Sequence, residues 1–151
     1  MGAPFLFLAL LDRFQWFEQA FRSALPAVGD VRVSRAQALL LASVLAGERR
    51  PSRIARRLGV TRQAVSQLLA DCERLGLVRL EADPRDARAR VVHFTPQARA
   101  FERAGLEALC RAEEELGRRV GVEQLAALRA ILAIDWGAAP AAAPEPAAAG
   151  S

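Results

Sequence analysis

The sequence predicts a mainly α fold with one small β-hairpin. The expected layout is a single domain over residues 1–136: a reader at 34–94, flanked by long helices at 4–24 and 96–136. Three observations predict it. Apolar residues between Pro51 and Leu75 recur at helical spacing on either side of Gly59, as in two short helices crossing at a corner. Two strand-like runs, LVRLEA (77–82) and RVVHF (90–94), follow directly, joined by the polar turn ADPRDARA. The flanking segments carry amphipathic periodicity long enough for one helix before the reader and two after it.

The N-terminal run GAPFLFLALL is apolar, but no basic stretch precedes it. Asp12 and Arg13 interrupt it well short of the roughly 20 residues a bilayer span needs. It continues into an amphipathic helix with Leu10, Phe14, Phe17 and Phe21 on one face and Trp16 to the side, a surface that needs a partner. No membrane partner is expected, and without a secretion signal the cytoplasm is the expected compartment. Ser34 with Gln37 has the form of a capping box, opening a second helix that reaches about Ala46.

In the crossing pair, Ala55 leaves room for the next helix, Gly59 takes a left-handed backbone at the corner, and Val65 fills the gap beneath. Thr61 is a natural N-cap. With Val65, Leu68, Leu69, Cys72 and Leu75 turned inward, Arg62, Gln63, Ser66, Gln67 and Arg74 face outward. Arg can fork onto a guanine edge, Gln can pair with an adenine edge, and Ser can reach a base or a phosphate. Any solvated helix also shows Arg and Gln, so this face alone does not decide its use.

The hairpin shifts that balance. Gly76 ends the helix, and the turn sets Arg85, Arg88 and Arg90 at or near a protruding tip, where Asp83 and Asp86 are expected to hold the guanidinium groups. Arginines so presented suit a narrow, electronegative minor groove. The candidate DNA-contacting set is Ser52, Thr61, Arg62, Gln63, Ser66, Gln67, Arg74, Arg85, Asp86, Arg88 and Arg90.

Thr95-Pro96 supplies an N-cap and a first-turn proline for the fifth helix. Its periodic residues are Ala98, Phe101, Leu106, Leu109, Ala112 and Leu116, and Gly105 weakens its middle and marks a candidate bend. Leu125, Leu128, Ile131, Leu132, Ile134 and Trp136 define a last helix, and the Ala/Pro-rich stretch 137–151 is expected to be a disordered tail. The first, fifth and sixth helices carry more apolar surface than a small reader can cover, which predicts a second copy as partner. The competing arrangement is a monomer whose helices fold back on the reader.

Charge agrees with the reader. Residues 49–90 hold 11 Arg against 5 acidic residues, a balance of +6, while the whole 151-residue chain carries only +4. Residues 1–48 hold 4 of each sign, and residues 91–151 hold 6 Arg and 8 acids. Positive charge is thus concentrated where phosphate would be met. All 21 basic residues are Arg, which fits GC-rich coding in a bacterial source and carries no mechanistic weight.

Three stretches resemble the MarR family of winged helix-turn-helix transcription regulators. VSRAQALLL (33–41) resembles the start of the family's second helix, the two-helix reader stands where the family has its own, and DPRDARARVVHFT (83–95) resembles its Asp-x-Arg wing with the strand and helix start that follow. The resemblance spans roughly Phe14 to Trp136, with the wing and reader as its specific part. Phe94 stands where the family usually has leucine and Ala98 where it often has glycine; both are compatible with a helix start. The resemblance implies a winged helix-turn-helix reader with terminal dimerisation helices forming an intertwined homodimer. It implies double-stranded DNA as partner: a pseudo-palindromic operator met in successive major grooves about 34 Å apart. A repressor of a nearby promoter or its own is the role so implied. It further implies a possible small-molecule effector, an aromatic or lipophilic acid between the dimer helices and the reader. Phe14, Trp16 and Phe17 are its candidate lining, with Arg13 or Arg35 as counter-charge.

Other classes find little support. No glycine-rich phosphate loop, nucleophile elbow or metal-ligand cluster stands in the sequence, so neither catalysis nor a cofactor or metal is expected. His93 is the single histidine. Peroxide-sensing members of the family carry a cysteine near the start of the first helix; here Cys72 and Cys110 lie elsewhere and are expected to be packing residues. The alternative to DNA reading is a winged-helix module that docks another protein. The basic, amide-rich face opposes it, because protein-docking surfaces favour aromatic and apolar anchors.

Overall fold

A computed structural model describes residues 5–139. Residues 1–4, and residues 140–151 of the expected tail, lie outside the described residues. The helices are α1 (Leu6–Ala24), α2 (Arg35–Leu45), α3 (Pro51–Leu58), α4 (Arg62–Arg74), α5 (Arg99–Val120) and α6 (Val122–Ala133). Between α4 and α5 the strands β1 (Val78–Asp83) and β2 (Asp86–Phe94) form an antiparallel hairpin. The chain divides into two compact units at Glu115/Leu116.

In the first unit, local chemistry sets most boundaries. The Ser34 hydroxyl accepts from the Gln37 N–H at 3.2 Å while the Ser34 N–H donates to Gln37 Oε1 at 2.7 Å, closing the capping box of α2. Pro51 opens α3, and Gly59 closes it in the left-handed region at φ 65° and ψ 30°. The Thr61 hydroxyl accepts from the Ala64 N–H at 3.1 Å and starts α4.

The core sits where α2, α3, α4 and the hairpin converge. Leu40, Leu41, Ile54, Val65, Leu69, Cys72 and Val92 are essentially removed from solvent. Each such aliphatic side chain contributes about 1.5–3 kcal/mol relative to exposure. From α1 only Phe21 and the following Leu25 join this core. Leu6, Phe7 and Phe14 along its first half stay exposed. Glu18 is buried beside Arg22 (3.0 Å) and Arg35 (3.5 Å), an ionic link from α1 to the first residue of α2.

Three expectations change. The eight-residue turn between the strands shortens to Pro84-Arg85, because the Asp83 carboxylate accepts the Arg85 N–H at 2.9 Å and folds the chain back at once. Pairing jumps from Ala82↔Arg90 to Asp83↔Asp86, so the three extra residues of β2 bulge out. In α5 the buried stripe is Phe101, Gly105, Ala108 and Ala112, and Leu106 faces outward. Gly105 marks close packing instead of a bend. A Cβ there would lie 2.7 Å from Leu45 Cδ1, and α5 runs through it without a break.

The second unit holds the last turn of α5 and α6, separated by Gly121 at φ 97°. No residue of α6 is buried, and Leu128, Ile131 and Leu132 are all exposed. The helix ends at Ala133, so Ile134 and Trp136 fall beyond it; the indole N–H of Trp136 donates back to the Ile131 carbonyl at 3.2 Å. No helix among the described residues is long and apolar enough to cross a membrane.

Candidate nucleic-acid interface

On α4, burial of Val65, Leu69 and Cys72 turns Arg62, Gln63, Ser66, Gln67 and Arg74 to solvent. The Ser66 hydroxyl donates to the Arg62 carbonyl at 3.0 Å, leaving its lone pairs outward. Thr61 is committed to capping. Gln67 Nε2 donates to Asp71 Oδ1 at 3.2 Å, and Arg74 pairs with that same oxygen. Arg74 is therefore neutralised locally.

A slot of about 260 Å³ opens between the starts of α3 and α4 and the tip end of β2. Ser52, Arg62, Ser66 and Arg90 line it together with Arg50, and no acidic residue does. Four of the sequence-predicted contact residues thus meet in one pocket of donors and positive charge. An anionic oxygen is the group such a pocket accommodates. Arg90 is also a strut, since its Nη2 donates to the Leu80 carbonyl at 2.9 Å. The Leu80 N–H in turn donates to Glu73 Oε1 at 3.0 Å, so Leu80 is held to the end of α4 through its N–H and to the opposite strand through its carbonyl.

At the tip the aspartates act differently from expectation. Asp86 accepts the Arg88 N–H at 3.1 Å, and Asp83 accepts the Arg85 N–H and pairs with Arg50 Nη2 at 2.5 Å. Neither carboxylate holds a wing guanidinium, because each is drawn back onto nearby backbone. Arg85 and Arg88 stand exposed with no ion-pair partner among the described residues. Arg50, which no sequence pattern singles out, fixes the tip to the start of α3 from 33 positions away.

The Arg85 N–H, with Arg50 and Arg85 as neighbouring positive charges, holds the Asp83 carboxyl below its ordinary 3.8 against the opposing effect of burial. A group depressed on folding contributes stability above its unfolded value and loses it as pH falls through the folded value. Urea midpoints of the wild type are therefore expected to drop below about pH 3.8. Asp83→Asn should flatten that part of the profile; an unchanged slope would count against the wing anchor.

On the opposite side of the hairpin lies an open cleft of about 710 Å³, its charges largely paired. The Arg49 carbonyl accepts the Val92 N–H at 2.8 Å, and Arg49 Nη1 meets His93 Nδ1 at 2.7 Å. His93 Nε2 lies 3.7 Å from Glu81. His93 is part of the hairpin's root.

The candidate effector residues do not converge. Trp16 and Phe17 meet edge to face at 4.9 Å. Trp16 lines a shallow groove of about 210 Å³ with Ala20, Ala24, Ala108, Arg111, Ala112 and Glu115, which neither Phe14 nor Phe17 lines. Arg35 is engaged by Glu18. Cys72 is buried, and burial with the nearby Asp71 carboxylate pushes its thiol up to about 12, which suits a packing role. Cys110 departs from expectation: it is exposed on α5, since the buried stripe passes through Ala108 and Ala112. No cluster of metal ligands stands among the described residues.

Residues 33–89 match the model described as the MarR family. No curated protein matches the chain in sequence. Among solved structures, the transcriptional regulator PA4135 is 22% identical with a TM-score of 0.65, over 86% of this chain and 94% of that one. The transcriptional repressor CouR, bound to a 23-mer DNA duplex, is 24% identical with a TM-score of 0.63, over 85% and 89%. The S. aureus MepR–DNA complex is 19% identical with a TM-score of 0.62, over 87% and 94%. The likeness is one of fold: a mainly helical chain with a two-stranded hairpin.

Proposed function

We propose, from the premise that this chain belongs to the MarR family of winged helix-turn-helix transcription regulators, that it is a sequence-specific DNA-binding repressor acting as a homodimer. The single observation that carries the reading is the slot where Ser52, Arg62, Ser66 and Arg90 meet with no acidic residue in its lining. A phosphate seated there positions the outer face of α4 against base edges, with Gln63 and Gln67 foremost, while Arg85 and Arg88 reach the adjacent minor groove. Both CouR and MepR are seen on DNA. The reader spans 34–94. The exposed apolar residues of α1, and separately those of α6, supply the dimer surfaces within 4–24 and 96–136. A small aromatic or lipophilic acid is the proposed releasing ligand, with Trp16 nearest to a groove that could admit it.

Titration of the DNA upstream of its own coding region against a shuffled duplex of equal length tests this directly. The upstream duplex should bind at least about a thousandfold more tightly, and sedimentation should show a dimer in the free and bound protein. Equal, weak affinity for both duplexes would refute specific regulation.

A further inference from the structure

Gln67 and Asp71 lie one turn apart on the outer face of α4, and Gln67 Nε2 donates to Asp71 Oδ1 at 3.2 Å. The direction of that bond is fixed by chemistry. A carboxylate only accepts, so the amide nitrogen must face Asp71; reversing the amide would set its carbonyl oxygen against a carboxylate oxygen. Arg74 on the same Oδ1 steadies the carboxylate from the next turn. The free Gln offers either end of its amide to a base, whereas the tethered one turns its carbonyl, with both lone pairs, away from Asp71.

Resting on the DNA-reading function proposed above, we propose that Asp71 is a positioning residue that makes Gln67 read amino bases, adenine or cytosine, and reject keto bases, guanine or thymine. Adenine N6 and cytosine N4 present donors in the major groove, which the Gln67 carbonyl accepts. Guanine O6 and thymine O4 present acceptors there, which can take only the one amide N–H that Asp71 leaves free, while the carbonyl faces them lone pair to lone pair. Adenine gains one more bond, because the second amide N–H can reach N7. Asp71 also places a negative charge beside the duplex, so it lowers total affinity while sharpening choice.

The test selects duplexes from a randomised pool with the full-length protein, then measures affinity for all four bases at each position of the selected site. The base pair read by Gln67 is the one whose preference vanishes in Gln67→Ala. There the wild type should favour adenine or cytosine on the order of tenfold. Asp71→Asn and Asp71→Ala should reduce that ratio to about threefold or less while binding every duplex more tightly. Arg74→Ala, which leaves the Gln67 tether in place, should keep the ratio. A guanine or thymine preference at that pair, no position responding to Gln67→Ala, or an undiminished ratio in both Asp71 variants overturns the proposal while DNA reading stands. A wild type that selects no duplex overturns DNA reading itself, and this proposal with it.

Discussion

Raising the salt from about 50 to 200 mM is expected to weaken the operator complex by a factor on the order of 10³–10⁵. Each phosphate neutralised by an arginine releases condensed counterions, so affinity falls as a steep power of salt concentration. In the proposed complex one phosphate shared by Arg62 and Arg90 in the slot, with one each at Arg85 and Arg88 of the wing, makes three such contacts per reader. Two readers in a dimer bring the total to roughly six, within the range where losses of this size occur. Arg74 adds little to the count, because Asp71 already holds it. Arg88→Ala should weaken binding to every duplex alike and lower the slope by about two for the dimer, one per copy. Fluorescence anisotropy at four or more salt concentrations reads both quantities. A change below about tenfold across the series would mean that arginine–phosphate contacts do not dominate.

Val65→Asp is expected to destroy the reader. Val65 has no solvent exposure and lies beneath the corner where α3 and α4 cross, among Ile54, Ala55 and Leu69. The substitution loses the transfer energy of the valine, about 1.5–3 kcal/mol. It also leaves an ionised group in an apolar site with no partner, at a further cost of several kcal/mol. A small domain has roughly 5–15 kcal/mol in all, so most of its stability goes. Urea unfolding followed by circular dichroism should show the cooperative transition lost or shifted to very low urea. Val65→Ala, which opens a cavity without adding charge, should keep the transition and cost about 1–3 kcal/mol. If the aspartate variant unfolded like the alanine one, the site would be wetter than the packing allows.

Much of this architecture is legible in the chain because its determinants are local. Ser34 and Gln37 close their capping box within four residues, Thr61 caps the helix it precedes, and Gly59 adopts the left-handed backbone that its place in the corner demands. Inward periodicity on α4 follows from the helical repeat, so the outer set from Arg62 to Gln67 is readable too. What the sequence conceals is contact between distant positions. The Arg50–Asp83 pair and the Arg49–Val92 hydrogen bond join residues dozens of positions apart, and no spacing rule connects them. Proximity of opposite charges along the chain predicts that the aspartates of the tip grip arginines. Backbone N–H groups two residues away are nearer still, and they win. The α5 stripe differs from its periodicity for a related reason. Periodicity ranks bulky residues as the likeliest to be covered, whereas a closely approaching neighbour favours Gly105 and Ala108 over Leu106.

Leu80, whose N–H is held by Glu73 of α4 and whose carbonyl is held by Arg90 of the opposite strand, has a bearing on which duplexes are accepted. With that grip and the Thr95 hydroxyl bond to the Gly76 carbonyl at 2.5 Å, the two jaws of the reader are cast in one piece, like a caliper locked at a single gauge. A locked caliper cannot open to suit its workpiece. In the proposed complex the double helix must supply the deformation, so supple pyrimidine–purine steps lying between the two jaws, touched by neither, lower the energy of seating the reader.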